Sequence, residues 1–302
     1  MNTPQISPKP ELQLIKKCKY FLLFLVFLSQ GISVSFLNAS TIYTTSILNN
    51  ETNESVFLEA IKSNSLDSVI NLINSGCDVN ETTKLGYTPL MSAVYKGNIE
   101  IVNLLISAGA DLESYDDQGN TPFMYAFYGS KEKENIVSFL LSLNVNAEVM
   151  NSQEQTPLIL ATLNSHCKSM KLLIESGVNI EVKGESGNTA LMHAVENQNI
   201  DSAKLLIKYG ANLEARDDWG FTSLMLAAFN NSGSMIRILI KAGAEINACT
   251  TTTIPISLKK DWRDFFPKTV YIPSGSTALD IAKQFENRFA ENILINEGHA
   301  SR

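Results

Sequence analysis

Apolar positions along this chain fall into two alternating kinds of block. The first is short and dense, as in Leu90-Met91-x-Ala93-Val94, and a threonine introduces it. The second is striped: Ile101, Val102, Leu104, Leu105 and Ile106 line one side of a helix and leave polar residues on the other. Thr88 precedes Pro89, which at a first helical turn sacrifices no hydrogen bond, and the threonine hydroxyl can take the free amides there. Each striped block ends at a glycine, as Gly109 follows Ser107-Ala108. The pattern predicts pairs of short helices, the second closed by a turn of positive φ.

The pair recurs at a fixed spacing. Opening threonines stand at Thr88, Thr121, Thr156, Thr189, Thr222 and Thr277, at intervals of 33, 35, 33, 33 and 55 residues. A period of 33 is thus kept apart from one insertion of two residues and one of 22. Gly76, Gly109, Gly177, Gly210 and Gly243 run in step, with Asn144 at the corresponding place of the third unit; asparagine tolerates a left-handed turn best among the other residues. Ala93, Ala126, Ala161, Ala194 and Ala227 recur five residues after the threonines, where one helix must approach its neighbour closely. No single pair can bury its own apolar stripe, so the units must stack.

The motif Thr-Pro-Leu with a period of 33 resembles the ankyrin-repeat family. The resemblance covers about 54–302 in seven units: 54–84, 85–117, 118–152, 153–185, 186–218, 219–250 and 274–302. It implies an all-α solenoid of about seven helix-turn-helix units with hairpin-like turns and one long loop insertion. The histidine that usually follows Thr-Pro-Leu is replaced by Met91, Met124, Ile159, Met192 and Met225, so packing must substitute for a hydrogen bond. In similar proteins partners are gripped by the turn tips and the outward side of the first helix. On that basis the concave positions are Leu85, Tyr87 and Tyr95, then Gln118, Asn120 and Tyr128, then Gln153, Gln155 and Leu163. Ser186, Asn188 and Glu196 follow, and Trp219, Phe221 and Phe229 close the series. Tyr87, Tyr95, Tyr128, Trp219, Phe221 and Phe229 are the candidate partner-binding rings, because a rigid ring buries much area at little entropic cost. The alternative is that some of these rings pack on the adjacent turn.

The insertion at 250–273 carries Trp262, Phe265, Phe266 and Tyr271 among five charged residues at 259–264, and Trp262, Phe265 and Phe266 join the candidate rings. Its extended ends, 250–257 and 270–272, are expected to pair as a hairpin. The rings then either extend the groove or fold over the last unit.

The N-terminus has a different pattern. Lys9, Lys16, Lys17 and Lys19 precede the apolar run from Tyr20 to Leu28, and Ser29-Gln30-Gly31 follow. A basic stretch, a short apolar core and small residues read as a secretory signal peptide over 1–35, with an uncleaved signal anchor as the alternative. Either form places the repeats outside the cytoplasm, periplasmic or secreted. Residues 36–53, rich in Ser, Thr and Asn, form a flexible spacer.

Charge and chemistry narrow the function. The formal charge is −7, and without the first 35 residues the remaining 20 basic and 30 acidic side chains give −10, a poor balance for nucleic acid. Contact with a membrane is expected only through the N-terminal segment. The three histidines, His166, His193 and His299, are dispersed, and no phosphate loop, Cys-x-x-Cys or nucleophile elbow occurs. Neither a metal nor a cofactor is implied. Asp116-Asp117 and Asp217-Asp218 read as turn initiators rather than an acid–base pair. The expected function is non-catalytic binding of a protein partner, with a membrane-anchored structural envelope protein or an accessory subunit of an enzyme as rivals. N-terminal sequencing of the exported product checks the first step: a start beyond Gly31 is expected, and a start before Tyr20 removes the cleaved signal.

Overall fold

A computed structural model describes residues 56–258 and 268–300. The signal over 1–35, the spacer over 36–53 and the rings Trp262, Phe265 and Phe266 lie outside the described residues. Six of the seven units are helix pairs: α1 (Val56–Lys62) with α2 (Leu66–Asn74), α3 (Pro89–Lys96) with α4 (Ile99–Ser107), α6 (Pro157–Leu163) with α7 (Cys167–Glu175), α8 (Ala190–Glu196) with α9 (Ile200–Lys208), α10 (Ser223–Phe229) with α11 (Gly233–Lys241), and α12 (Ala278–Gln284) with α13 (Arg288–Ala300). Between α4 and α6 the third unit contributes α5 (Glu134–Ser142) as its second helix. Among the described residues no helix is long and apolar enough to cross a membrane.

The openers act as their residue types require. Thr88, Thr156, Thr189 and Thr222 each accept the backbone N–H three residues on through the side chain, and Pro89 and Pro157 begin their helices. Gly76, Gly109, Gly177, Gly210 and Gly243 have φ between 78° and 98°, and Asn144 stands in at 57°. Every alanine five residues after an opening threonine is buried, as are Met91, Met124, Met192 and Met225. Met91 also supplies an acceptor: its sulfur lies 3.4 Å from the Thr88 N–H. The packing that replaces the missing histidine is therefore partly polar.

A ladder of hydrogen bonds fixes how each unit meets the next. After each turn, Asp78, Asp111, Asn146, Asn179 and Asn212 accept the N–H two residues on, at Asn80, Glu113, Glu148, Glu181 and Glu214. The side chain of that second residue then accepts from the following unit. Asp111 N–H reaches Asn80 Oδ1 at 2.8 Å, Asn146 N–H reaches Glu113 Oε1 at 2.9 Å, and Asn179, Asn212 and Glu245 repeat the bond to Glu148, Glu181 and Glu214 at 2.8 Å. Each bond is exposed and contributes about 0.5–1.5 kcal/mol, but together they set the register of five successive joints.

Two departures from a uniform stack have local causes. The expected first helix of the third unit is reduced to a 3-10 turn, Met124–Ala126, despite its Thr121-Pro122 opener. The two extra residues fall in the loop that follows, where Lys133 turns inward and donates through Nζ to the carbonyls of Ala126 at 3.2 Å and Tyr128 at 2.8 Å. Those carbonyls need no further helical turn. In the insertion, β1 (Ile254–Leu258) pairs antiparallel with β2 (Lys268–Ile272), Ile254 opposite Ile272, so the expected hairpin forms. Its base is tied to the last unit: Gly275 N–H donates to Thr250 O, and Gln284 Nε2 on α12 donates to Tyr271 O, both at 2.8 Å.

Lys133 is buried, and that burial, reinforced by Lys131, lowers its pKa to about 8. The unfolded chain then binds more protons than the folded one between about pH 8 and 10.5, so this group makes stability rise with pH across that window. Lys133→Met leaves two carbonyls without their donor. It is expected to lower unfolding stability by about 1–3 kcal/mol at pH 7, with a wider gap from wild type at pH 9.5. Chemical denaturation at both pH values checks this, and an unchanged variant would show that the lysine bonds contribute nothing.

Candidate binding face

Four of the turn tips share one construction: the residue five before the opening threonine accepts two backbone N–H groups across the tip. Thr83 Oγ1 takes those of Leu85 and Tyr87, Asp116 those of Gln118 and Asn120, Asn151 those of Gln153 and Gln155, and Asp217 those of Trp219 and Phe221, at 2.8–3.3 Å. The two aspartate pairs are thus turn initiators. Neighbouring tips also touch through the backbone, Asp117 N–H to Leu85 O at 2.9 Å and Ser152 N–H to Gln118 O at 2.8 Å.

This construction decides where the candidate rings point. Tyr87 and Phe221 sit immediately before their threonines with their N–H groups held by the tip, and both side chains are buried. Tyr87 packs edge-on against Tyr125 at 5.1 Å between centroids, and Phe221 lies 6.4 Å from Phe229. Tyr128 is buried too, because its hydroxyl donates to Asn120 Oδ1 at 2.7 Å inside a polar network. These three rings are therefore corrected from exposed anchors to parts of the stack. Tyr95 is half-buried, 6.5 Å from Tyr125 and with the Lys133 ammonium 5.5 Å from its ring centre. Phe229 is half-buried and meets Phe285 of the last unit at 4.8 Å. Of the described candidates Trp219 is the most open, 37% exposed at its tip.

Two further apolar side chains were not singled out from the sequence. Tyr115 is 57% exposed and Met150 40% exposed. They hold the same place in adjacent units, six residues before Thr121 and Thr156, on the arm that leads into the tip. The repeat register could have found them had that position been compared across units.

The third unit's floor is a closed network. Asp116 Oδ2 accepts from the Tyr125 hydroxyl at 2.5 Å and from Asn120 Nδ2 at 2.9 Å, while Asn151 Nδ2 at the following tip donates to Asn120 Oδ1 at 2.9 Å. Gly184, five before Thr189, leaves the tip that leads into the fifth unit without a side-chain acceptor. This tip instead closes by Asn188 N–H donating to Glu185 O at 3.2 Å, with Ser186 and Gly187 both at positive φ, the pattern of a type I′ turn. A side chain at Gly184 would place its first carbon 2.5 Å from Glu154 O and 2.8 Å from the Ile159 Cδ1 methyl.

Titratable groups gather beside this tip. Burial pushes the His193 imidazole down to about 4, so it is neutral near pH 7. Burial also pushes the Glu196 carboxyl up to about 7, Asn188 opposes the rise by hydrogen bonding, and the charges of Asp217 and Glu185 add to it. Asn188 Nδ2 donates to Glu196 Oε2 at 3.1 Å, whereas His193 Nδ1 stands 3.7 Å from that oxygen, beyond hydrogen-bond range. The Glu196 side chain as a whole is 38% exposed, so solvent screening moderates the penalty. Among the described residues no group of three or more His, Cys, Asp or Glu side chains is placed to hold a metal ion.

A family model described as ankyrin repeats matches three overlapping stretches, 56–149, 118–184 and 176–250, which together span well over half of the chain. The crystal structure of the ankyrin repeat domain of Bcl-3, a member of the IkappaB protein family, is 25% identical with a TM-score of 0.64, covering 81% of this chain and 100% of that one. The ankyrin repeat domain of human ASB11 is 23% identical with a TM-score of 0.63, covering 81% of this chain and 98% of that one, and this likeness is one of fold. No curated protein matches the chain.

The raised Glu196 pKa gives a signed expectation. Below about pH 4.5 the carboxyl is protonated in folded and unfolded chains alike; between there and about pH 7 the unfolded chain loses its proton first, and the stabilising difference disappears as pH rises. Glu196→Gln, neutral throughout, is expected to melt with the wild type near pH 4.5 and above it at pH 8. Thermal unfolding at the two pH values reads this directly. A variant that melts lower than wild type at pH 8 would contradict the assigned burial.

Proposed function

This chain belongs to the ankyrin-repeat family, and we propose that it works as a non-catalytic binding module that holds a partner protein along its turn tips and first helices. Ankyrin repeats are in general protein–protein interaction modules. The observation that carries the proposal is the set of open side chains on the arms and tips, Tyr115, Met150 and Trp219, where Tyr87, Tyr128 and Phe221 are absorbed into the joints. Side chains of this kind expose area that only a partner removes from water.

Export from the cytoplasm is part of the same proposal. It rests on the order of basic, apolar and small residues between Lys9 and Ser35, which matches a secretory signal. The partner is then sought in envelope or secreted fractions.

The test is capture of partners by the full-length protein and by a Tyr115→Ala/Trp219→Ala variant. Loss of wild-type partners from a variant that melts normally is the expected result. A normally folded variant that retains every partner would show that these side chains do not form the binding face.

A further inference from the structure

The third and fifth units place different chemistry on equivalent positions. Aligned on Thr121 and Thr189, Asp116, Asn120, Tyr125 and Tyr128 correspond to Gly184, Asn188, His193 and Glu196, and Asn151, five before Thr156, corresponds to Asp217, five before Thr222. In the third unit donors and acceptors match: Asn120 Oδ1 takes the Tyr128 hydroxyl at 2.7 Å and the Asn151 amide at 2.9 Å. In the fifth, both of those donors have become carboxylates, Glu196 and Asp217. Asn188 is only 5% exposed and its Nδ2 is bonded to Glu196, yet its Oδ1 has no donor. The His193 Nε2 has no partner either, since Gly184 offers no side chain where Asp116 receives the Tyr125 hydroxyl.

The cluster thus sets the unmatched Asn188 Oδ1 and the Glu196 carboxyl against the single ring N–H of a neutral His193, leaving acceptors in excess. The cations on the flanking arms do not supply the missing donors: Lys183 Nζ donates to Arg216 O at 2.7 Å, and Arg216 Nη1 donates to Gly220 O and Cys249 O at 2.8 Å. Glu196 is the member that solvent reaches, at the end of the first helix on the same side as the tips.

We propose that Glu196, backed by Asn188, anchors an arginine side chain carried on an extended segment of the partner protein. A guanidinium presents several N–H groups in one plane and pairs with a carboxylate through two parallel hydrogen bonds, which suits an acceptor-rich floor better than a point charge. The net charge of −7 favours the approach of such a segment. This assignment rests on the concave-face reading and adds the chemistry of what lies there.

Fluorescence anisotropy with the full-length protein tests it, using a labelled twelve-residue Gly-Ser peptide that carries four arginines. The same peptide with neutral citrulline, or with lysine, in place of arginine gives the comparison. The arginine peptide is expected to bind, the citrulline peptide not to, and the lysine peptide to bind more weakly. Glu196→Gln should weaken arginine-peptide binding at pH 8 by about tenfold, the size of one charge-assisted hydrogen-bonded pair. Glu100→Gln, the same charge change on exposed α4, should leave it unaltered. Equal binding of the citrulline or lysine peptide, no binding of the arginine peptide, or an unaffected Glu196→Gln variant overturns the assignment. The citrulline comparison uses the unmodified chain and decides the matter even if the variant does not fold. Should Tyr115→Ala/Trp219→Ala lose the captured partners while the peptide results are negative, the binding face stands and the arginine anchor falls. Retention of those partners with positive peptide results has the opposite meaning.

Discussion

Each helix pair in this protein carries an apolar stripe wider than it can hide. In α4, Ile101, Val102 and Leu105 are fully buried, and in α9 Ala203 and Leu206 are, only because neighbouring units cover them. Burial of this kind drives stacking but is non-directional and roughly proportional to area. It explains that the units associate, not how they are rotated against one another. The carboxylate and amide ladder from Asn80 to Glu214 supplies that direction, since each bond closes only when the next unit's backbone N–H arrives at one place.

With register held at the turns, the first helices tolerate change. The third unit gives up a regular helix, and the buried Lys133 satisfies the carbonyls that are left. The insertion before the last unit is absorbed as a hairpin whose base hydrogen-bonds to the turn it interrupts and to α12. Quasi-one-dimensional architecture permits this, because a local fault is felt only by the units on either side.

The same freedom lets concave positions diverge chemically. Asp116, Asn120, Tyr128 and Asn151 form a floor with every donor matched, which stiffens the middle of the stack. Gly184, Asn188, His193 and Glu196 take the equivalent sequence positions but leave the Asn188 acceptor without a donor. The stack therefore carries one closed floor and, two units on, one with unmatched acceptors, with Tyr115 and Met150 open on the arms and Trp219 at a tip.

What was legible in the residues followed from short-range rules. Thr88 with Pro89 opens a helix, Gly109 or Asn144 ends one, Asp116 and Asp217 staple a turn, and two apolar strand ends in the insertion pair, because capping, positive φ and turn bonding depend on a few adjacent residues. Those rules determined the period, the number of units and the solenoid class. They could not tell whether Tyr87, Tyr128 and Phe221 face solvent, for a ring at a tip points wherever the next unit leaves room. Nor could they reveal the vacancy of donors at Asn188, which exists only once Glu196 and Asp217 stand where other units carry Tyr128 and Asn151. Exposure and hydrogen-bond balance are properties of the gap between units, and only the tertiary stack decides what fills it.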